Sequence, residues 1–200
     1  MSTAHDMRAW MFRYRSYTPL PFLAAMLAFA HPSAASMCAG FAVVLSGEAI
    51  RFWGVSIAGS ETRTTGSVGG TYLITTGPFA YVRNPLYVGN MLLYAGVGIM
   101  SWALFPWLLV GAVLWFVVQY TLIVLGEEDY LAGRFGEAYA EYRRNVHRFL
   151  PRLTPYRDAS PAPKRAAVRE GFASERRTLQ AIGLVMAILL AVFLWQRGGF

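Results

Sequence analysis

The chain has 200 residues, of which 56% are hydrophobic and 14% charged, with a net charge of +7 and a mean hydropathy of +0.38. Soluble domains carry roughly 25% charged residues, so this composition excludes an ordinary soluble domain and points to a membrane protein. A lone cysteine, Cys38, in an apolar run and three scattered histidines, His5, His31 and His147, exclude a disulfide framework and give no metal-ligand spacing.

Residues Met1 to Thr18 are basic and aromatic, with Trp10, Phe12, Tyr14 and Tyr17 among arginines, as suits an interfacial cytoplasmic segment. A first apolar span runs from Pro19 to Ala30, short for a bilayer that needs about 20 helical residues. His31-Pro32-Ser33 is a turn, and a second span follows from Ala34 to Ile57. Cys38 reads there as a small buried hydrophobe. Glu48 and Arg51 lie inside this span, three residues apart and so on one helix face. Charges within a span are costly and mark function by default, the alternative being a mutually neutralising pair. Ala58 to Thr76 is a polar loop holding Glu61 and Arg63. Its glycines, Gly66, Gly69 and Gly70, do not make GxGxxG, so no Rossmann domain is expected.

Gly77 to Gly89 reads GPFAYVRNPLYVG. Gly77-Pro78 is a turn signal, and Tyr81, Arg83, Asn84 and Tyr87 arrive together just before an uncharged run. Anchoring at the headgroups is one reading of that cluster, a binding site the other. Third and fourth spans run from Leu86 to Phe105 and from Pro106 to Leu125, joined by a tight helical hairpin. From Gly126 to Pro151 the pattern changes. Glu127, Leu131, Phe135, Tyr139, Tyr142 and Val146 form a stripe, with Glu137, Glu141, Arg143 and Arg144 opposite, which is an amphipathic surface helix. Thr154 to Arg177 reads as a solvated basic linker. Thr178 to Trp195 is a fifth span whose Gly183, Ala187 and Ala191 make a small-residue face suited to packing on the bundle or to a homodimer.

The expected fold is therefore an all-α polytopic membrane bundle of about five spans with a cytoplasmic amphipathic helix. It divides into a cytoplasmic segment (1–18), a membrane core (19–153), a linker (154–177) and an additional C-terminal helix (178–200). Every lysine and arginine except Arg197 falls on one side of this arrangement. The positive-inside rule puts that side, with the N-terminus, in the cytoplasm and the C-terminus outside. The basic residues thus follow membrane topology and do not indicate nucleic acid. The polar candidates all lie on the cytoplasmic side, where one ligand can arrive from the cytosol and another from lipid.

Three stretches carry a resemblance. Gly47-Glu48-Ala49-Ile50-Arg51 with Ala58-Gly59-Ser60 resembles a GExxR…AGS segment. Gly77 to Gly89 resembles a GxYxxxRHPxYxG signature, with Asn84 in place of the histidine. Glu127-Glu128 with Phe135-Gly136-Glu137-Ala138-Tyr139-Ala140-Glu141-Tyr142 resembles an EE…FGxxYxxY ending. Together they resemble the isoprenylcysteine carboxyl methyltransferase family of integral membrane enzymes.

The resemblance implies S-adenosylmethionine (SAM) as cofactor, held under the amphipathic helix, and a lipophilic acceptor reached between membrane helices. It assigns Arg83, Asn84, Tyr87 and Gly89 to the cofactor pocket with Thr71 and Tyr81 nearby. Glu127, Glu128, Tyr139 and Tyr142 close that pocket, and Glu48 and Arg51 lie near the acceptor. A carboxylate acceptor needs a cation, for which Arg51 is the candidate, whereas an amine or hydroxyl needs a base, for which Glu48 or Glu128 would serve. Rival readings are a phospholipid amine methyltransferase, an NADPH-dependent sterol-type reductase and a non-enzymatic membrane adaptor.

Overall fold

The computed structural model describes residues 2–59, 73–157 and 168–198, and the described residues are helical with no strand. Six helices follow in order: α1 (Ser2–Tyr14), α2 (Leu20–Ala28), α3 (Ala34–Ala58), α4 (Pro85–Ser101), α5 (Trp107–Asn145) and α6 (Val168–Arg197). Three of them, α3, α5 and α6, contain stretches long and apolar enough to cross a membrane.

The α3–α4 pair is the spine of the fold. Pro32 and Ser33 set the start of α3: the Ser33 hydroxyl accepts from the Ser36 amide at 3.1 Å, and the Ser36 hydroxyl accepts from the Ser33 amide at 2.9 Å. That reciprocal cap satisfies two amides that a helix start leaves open. The two helices run antiparallel in close contact because glycines meet at two levels. A Cβ on Gly47 would stand 2.8 Å from the Gly89 carbonyl, and one on Gly96 would stand 2.7 Å from the Gly40 carbonyl. Small residues at such a crossing let backbones gain contact that lipid cannot supply.

Helices α1 and α2 follow one another along α5. The break between them is satisfied by buried Gln119, which accepts from the Thr18 hydroxyl at 2.8 Å. The core lies among α2, α3, α4 and α5, with Met26, Val44, Met100 and Phe116 fully buried.

Several boundaries differ from expectation. The first span shrinks to the nine residues of α2, about 13 Å of helix, which cannot cross a bilayer alone. The third span ends at Ser101, because Trp102 and Leu104 adopt left-handed φ values of 53° and 44°. The fourth span and the amphipathic helix are one helix, broken not at Gly126 but at Gly136 (φ 51°, ψ −124°). Helix α6 begins at Val168, ten residues inside the expected linker. Cys38 is exposed on α3, not buried. Gly183, Ala187 and Ala191 face away from the bundle, which α6 meets instead through Ile182, Val185, Met186 and Leu189.

Candidate active site

The site begins at Gly77, where the chain approaches α4. Gly77 has φ +62°, and a Cβ there would stand 2.7 Å from Ile57 Cγ1, so only glycine turns the chain this tightly over the end of α3. A single 3-10 turn, Gly77–Ala80, leads to Tyr81, whose ring lies 6.0 Å from that of Trp53.

The segment after α5 folds back on this stretch like a strap. The Arg83 amide donates to the His147 carbonyl at 2.9 Å, the Arg152 amide to the Tyr81 carbonyl at 2.8 Å, and the Tyr156 amide to the Ala80 carbonyl at 2.8 Å. The Asn84 amide group donates to the Arg148 carbonyl at 3.2 Å. The strap returns because Gly136 turns the end of α5. With the chain redirected there, Tyr139, Tyr142 and Val146 become buried against Leu131, Phe135 and Tyr156, and the Tyr142 hydroxyl donates to the Phe79 carbonyl at 2.7 Å. The predicted stripe is thus the buried face, and Glu137, Glu141, Arg143 and Arg144 are exposed.

Glu128 sits at the centre, 4% exposed. Arg83 reaches it at 3.0 Å, and Arg148 grips it bidentately at 3.0 and 2.8 Å. The carboxylate hydrogen bond pushes the Arg148 guanidinium above its ordinary pKa. Glu128 is therefore a fixed counter-charge between two cations. Arg83 is 8% exposed, yet its Nε and Nη1 have no hydrogen-bond partner. Leaving buried guanidinium N–H groups unpaired is costly, so these two donors mark a place for an anionic group. Next to Glu128, Glu127 accepts from the Tyr87 hydroxyl at 2.7 Å, and the Tyr87 ring stacks on Tyr120 at 4.7 Å.

A second charged cluster lies one turn further along α4. Arg51 is held by Asn90, by Glu175 at 2.6 Å and by Thr178 at 3.4 Å, and its Nε lies 3.7 Å from Glu48. Both Glu48 oxygens are buried without a hydrogen-bond partner. Gly89 lies beneath the aliphatic stem of Arg51, where any Cβ would collide with it.

The structure brings Arg83, Tyr87, Glu127, Glu128, Tyr139 and Tyr142 into one region, with Glu48 and Arg51 beside it. Tyr81 faces Trp53, Asn84 faces the strap, and Gly89 serves the helix crossing. Thr71, like Glu61 and Arg63, lies outside the described residues. Sequence reasoning missed Arg148 and Glu175. Arg148 sits in a basic run that gives no hint of which arginine folds inward. Glu175 was hidden in a stretch with no apolar period, although Gly171, Glu175 and Thr178 share a helical face. Among the described residues, no three histidine, cysteine or acidic side chains lie close enough to hold a metal ion.

The profile of the phospholipid methyltransferase family matches residues 35–138, more than half the chain. The chain belongs to the phospholipid methyltransferase family. The match runs from the start of α3 to the strap side of Gly136, so it contains the glycine crossing, Arg83 and the Glu127-Glu128 pair, while Arg148 and α6 fall beyond it. The protein-S-isoprenylcysteine O-methyltransferase of Schizosaccharomyces pombe is 35% identical over 79 residues, 40% of this chain and 33% of that protein. The cobalt-zinc-cadmium resistance protein CzcN of Cupriavidus metallidurans is 41% identical over 90 residues, 44% of this chain and 39% of its own length. The nickel-cobalt-cadmium resistance protein NccN of Alcaligenes xylosoxydans xylosoxydans is 34% identical over 90 residues, 45% of this chain and 41% of its own length. The matched region thus spans well under half of each of these relatives. No solved structure matches the chain significantly. The described residues are all helical, three of the helices are long and apolar enough to cross a membrane, and the family is one of methyltransferases.

Proposed function

We propose that this chain transfers a methyl group from SAM to a lipophilic acceptor at the cytoplasmic face of a membrane. The observation that carries the reading is Arg83, just before α4, whose Nε and Nη1 are buried and unpartnered beside the Glu127-Glu128 pair within α5. SAM would supply an electrophilic methyl group on a cationic sulfonium, with a carboxylate and an amino group on its tail. Those charges suit the residues present. The unpaired Nε–H and Nη1–H of Arg83 are charge-assisted donors for a carboxylate. Glu127, engaged only by Tyr87 among its described hydrogen bonds, retains acceptor capacity for an amino or ribose hydroxyl group. The face of Tyr87 turned away from Tyr120 suits a cation. Glu128, already gripped by two arginines, orients Arg83 instead of acting as a base.

In this reading the strap, Gly136 and the two tyrosines behind it keep water from the reacting centre and fix the alignment that in-line transfer requires. The acceptor would approach from the lipid side past Glu48 and Arg51. The basic residues around the site keep it cytoplasmic, with the N-terminus inside and the C-terminus outside.

The test is transfer of label. Protein reconstituted in liposomes made from total membrane lipid and given tritiated-methyl SAM should place label in the organic extract. Arg83→Ala should weaken SAM binding by about 10- to 150-fold, the value of hydrogen bonds to a charged group. No label from folded wild-type protein, or unchanged SAM affinity in Arg83→Ala, would count against the proposal.

A further inference from the structure

Glu175 lies outside the region matched by the family profile, on the helix that reads as linker from the sequence. Its docking is specific. Gly171 sits where a Cβ would strike Ser56, Phe172 packs on Phe52 with ring centroids 4.7 Å apart, and one helical turn later Glu175, 3% exposed, meets Arg51 at 2.6 Å. Arg51 is thereby shared between two carboxylates, Glu48 and Glu175, with Asn90 taking another of its donors.

The charge count of this cluster is two acids to one base. Its unsatisfied groups are both buried oxygens of Glu48 and the Nε–H of Arg51, which stands 3.7 Å from Glu48, too far for a hydrogen bond, so Glu48 holds most of the unmet capacity. A molecule that completes the cluster brings N–H donors and positive charge. A carboxylate drawn to the free Nε–H of Arg51 would lie against Glu48, 3.7 Å away, with Glu175 already on the same guanidinium, a repulsive arrangement that selects against it. Asn90 is one turn from Tyr87 on α4, and Tyr87 bonds to Glu127, so the cluster adjoins the proposed cofactor region.

We propose that Glu175 sets the charge preference of the lipid-facing site: by occupying Arg51 it makes the site take a lipophilic amine and reject a lipophilic carboxylate. That the amine is the methyl acceptor rests on the methyl-transfer reading; the preference itself is a property of binding. Glu175 acts through Arg51 and is a positioning residue, while Glu48 is the group that meets the ammonium.

The experiment uses the full chain in nanodiscs of zwitterionic lipid and two probes with the same tail, radiolabelled hexadecylamine and hexadecanoic acid. It is run at about pH 8.5, where both head groups are charged, with protein-free nanodiscs subtracted and SAM binding measured in parallel. Wild-type protein should hold the amine at least about tenfold tighter than the carboxylate. Glu175→Gln, which keeps an oxygen on Arg51 but removes the charge, should narrow that ratio about tenfold or more, and Glu175→Asp should restore it. A purely structural clamp would change both affinities alike and leave the ratio unmoved. Wild-type preference for the carboxylate overturns the proposal whatever the variants do. So does an unchanged ratio in a folded Glu175→Gln. If Glu175→Gln fails to fold, the wild-type ratio decides. Amine preference without SAM binding would remove the methyl-transfer reading and leave the charge preference standing.

Discussion

Glu128→Gln should destabilise this structure well beyond a surface substitution. Glu128 makes three contacts of 2.8 to 3.0 Å to two guanidinium groups. Glutamine would keep one oxygen but turn an amide donor toward an arginine and remove the counter-charge. Breaking a buried pair by removing one partner costs about 3–5 kcal/mol. Arg83 is 8% exposed and Arg148 26%, so only Arg83 is stranded away from water. The lower end of that range, about 3 kcal/mol, is therefore expected, a fall in melting temperature of roughly 6–12 °C for a chain of this size. Arg148→Ala leaves Glu128 paired with Arg83 and should cost only about 1 kcal/mol. Unfolding in mixed micelles measures both, and amide exchange at Arg83, Arg152 and Tyr156 reports whether the strap has lifted. A cost under about 0.5 kcal/mol for Glu128→Gln, or equal costs for the two variants, would refute the view of Glu128 as the buried hub.

Other substitutions probe other parts of the argument. Gly89→Ala places a Cβ 2.8 Å from the Gly47 carbonyl and against Arg51, and should cost about 1–3 kcal/mol in the same unfolding assay. Gly111→Ala, with no atom within 4 Å of its Cβ, should be neutral or stabilising by up to about 1 kcal/mol. Gly136→Ala also meets no neighbour within 4 Å, so its cost, about 1–3 kcal/mol, comes from the backbone alone, whose positive φ with ψ of −124° suits glycine. It should also raise amide exchange in the strap. Glu137→Gln removes an exposed ion pair to Arg144 and should change stability by less than about 0.5 kcal/mol.

Much of this site was legible in the sequence where the local signal and the tertiary contact agree. The cap at Ser33 and the extent of α3 follow from Pro32-Ser33 and a long apolar run. The three-residue spacing of Glu48 and Arg51 puts them side by side on one helix. The stripe from Leu131 to Val146 is the face that packs. The misses share a cause, which is that a distant partner decides the outcome. Gly126 and Gly136 look alike in sequence, and what separates them is visible only in the fold: Gly136 takes a positive φ, and the chain beyond it returns to Tyr81 and Arg83. Residues 168–177 lack apolar periodicity because the face they bury holds Gly171 and Glu175, and a buried glutamate is intelligible only once Arg51 is known to face it. Glu128 reads as an available base until Arg148, twenty residues on, folds back to hold it.

The central claim is that the Arg83 region is built for SAM. Binding of SAM and of NADPH to the purified, folded protein, measured side by side, tests it most directly. The account predicts saturable SAM binding that Arg83→Ala weakens by about 10- to 150-fold, with no response to NADPH. NADPH binding in place of SAM, or no SAM binding by protein shown to be folded, would contradict it.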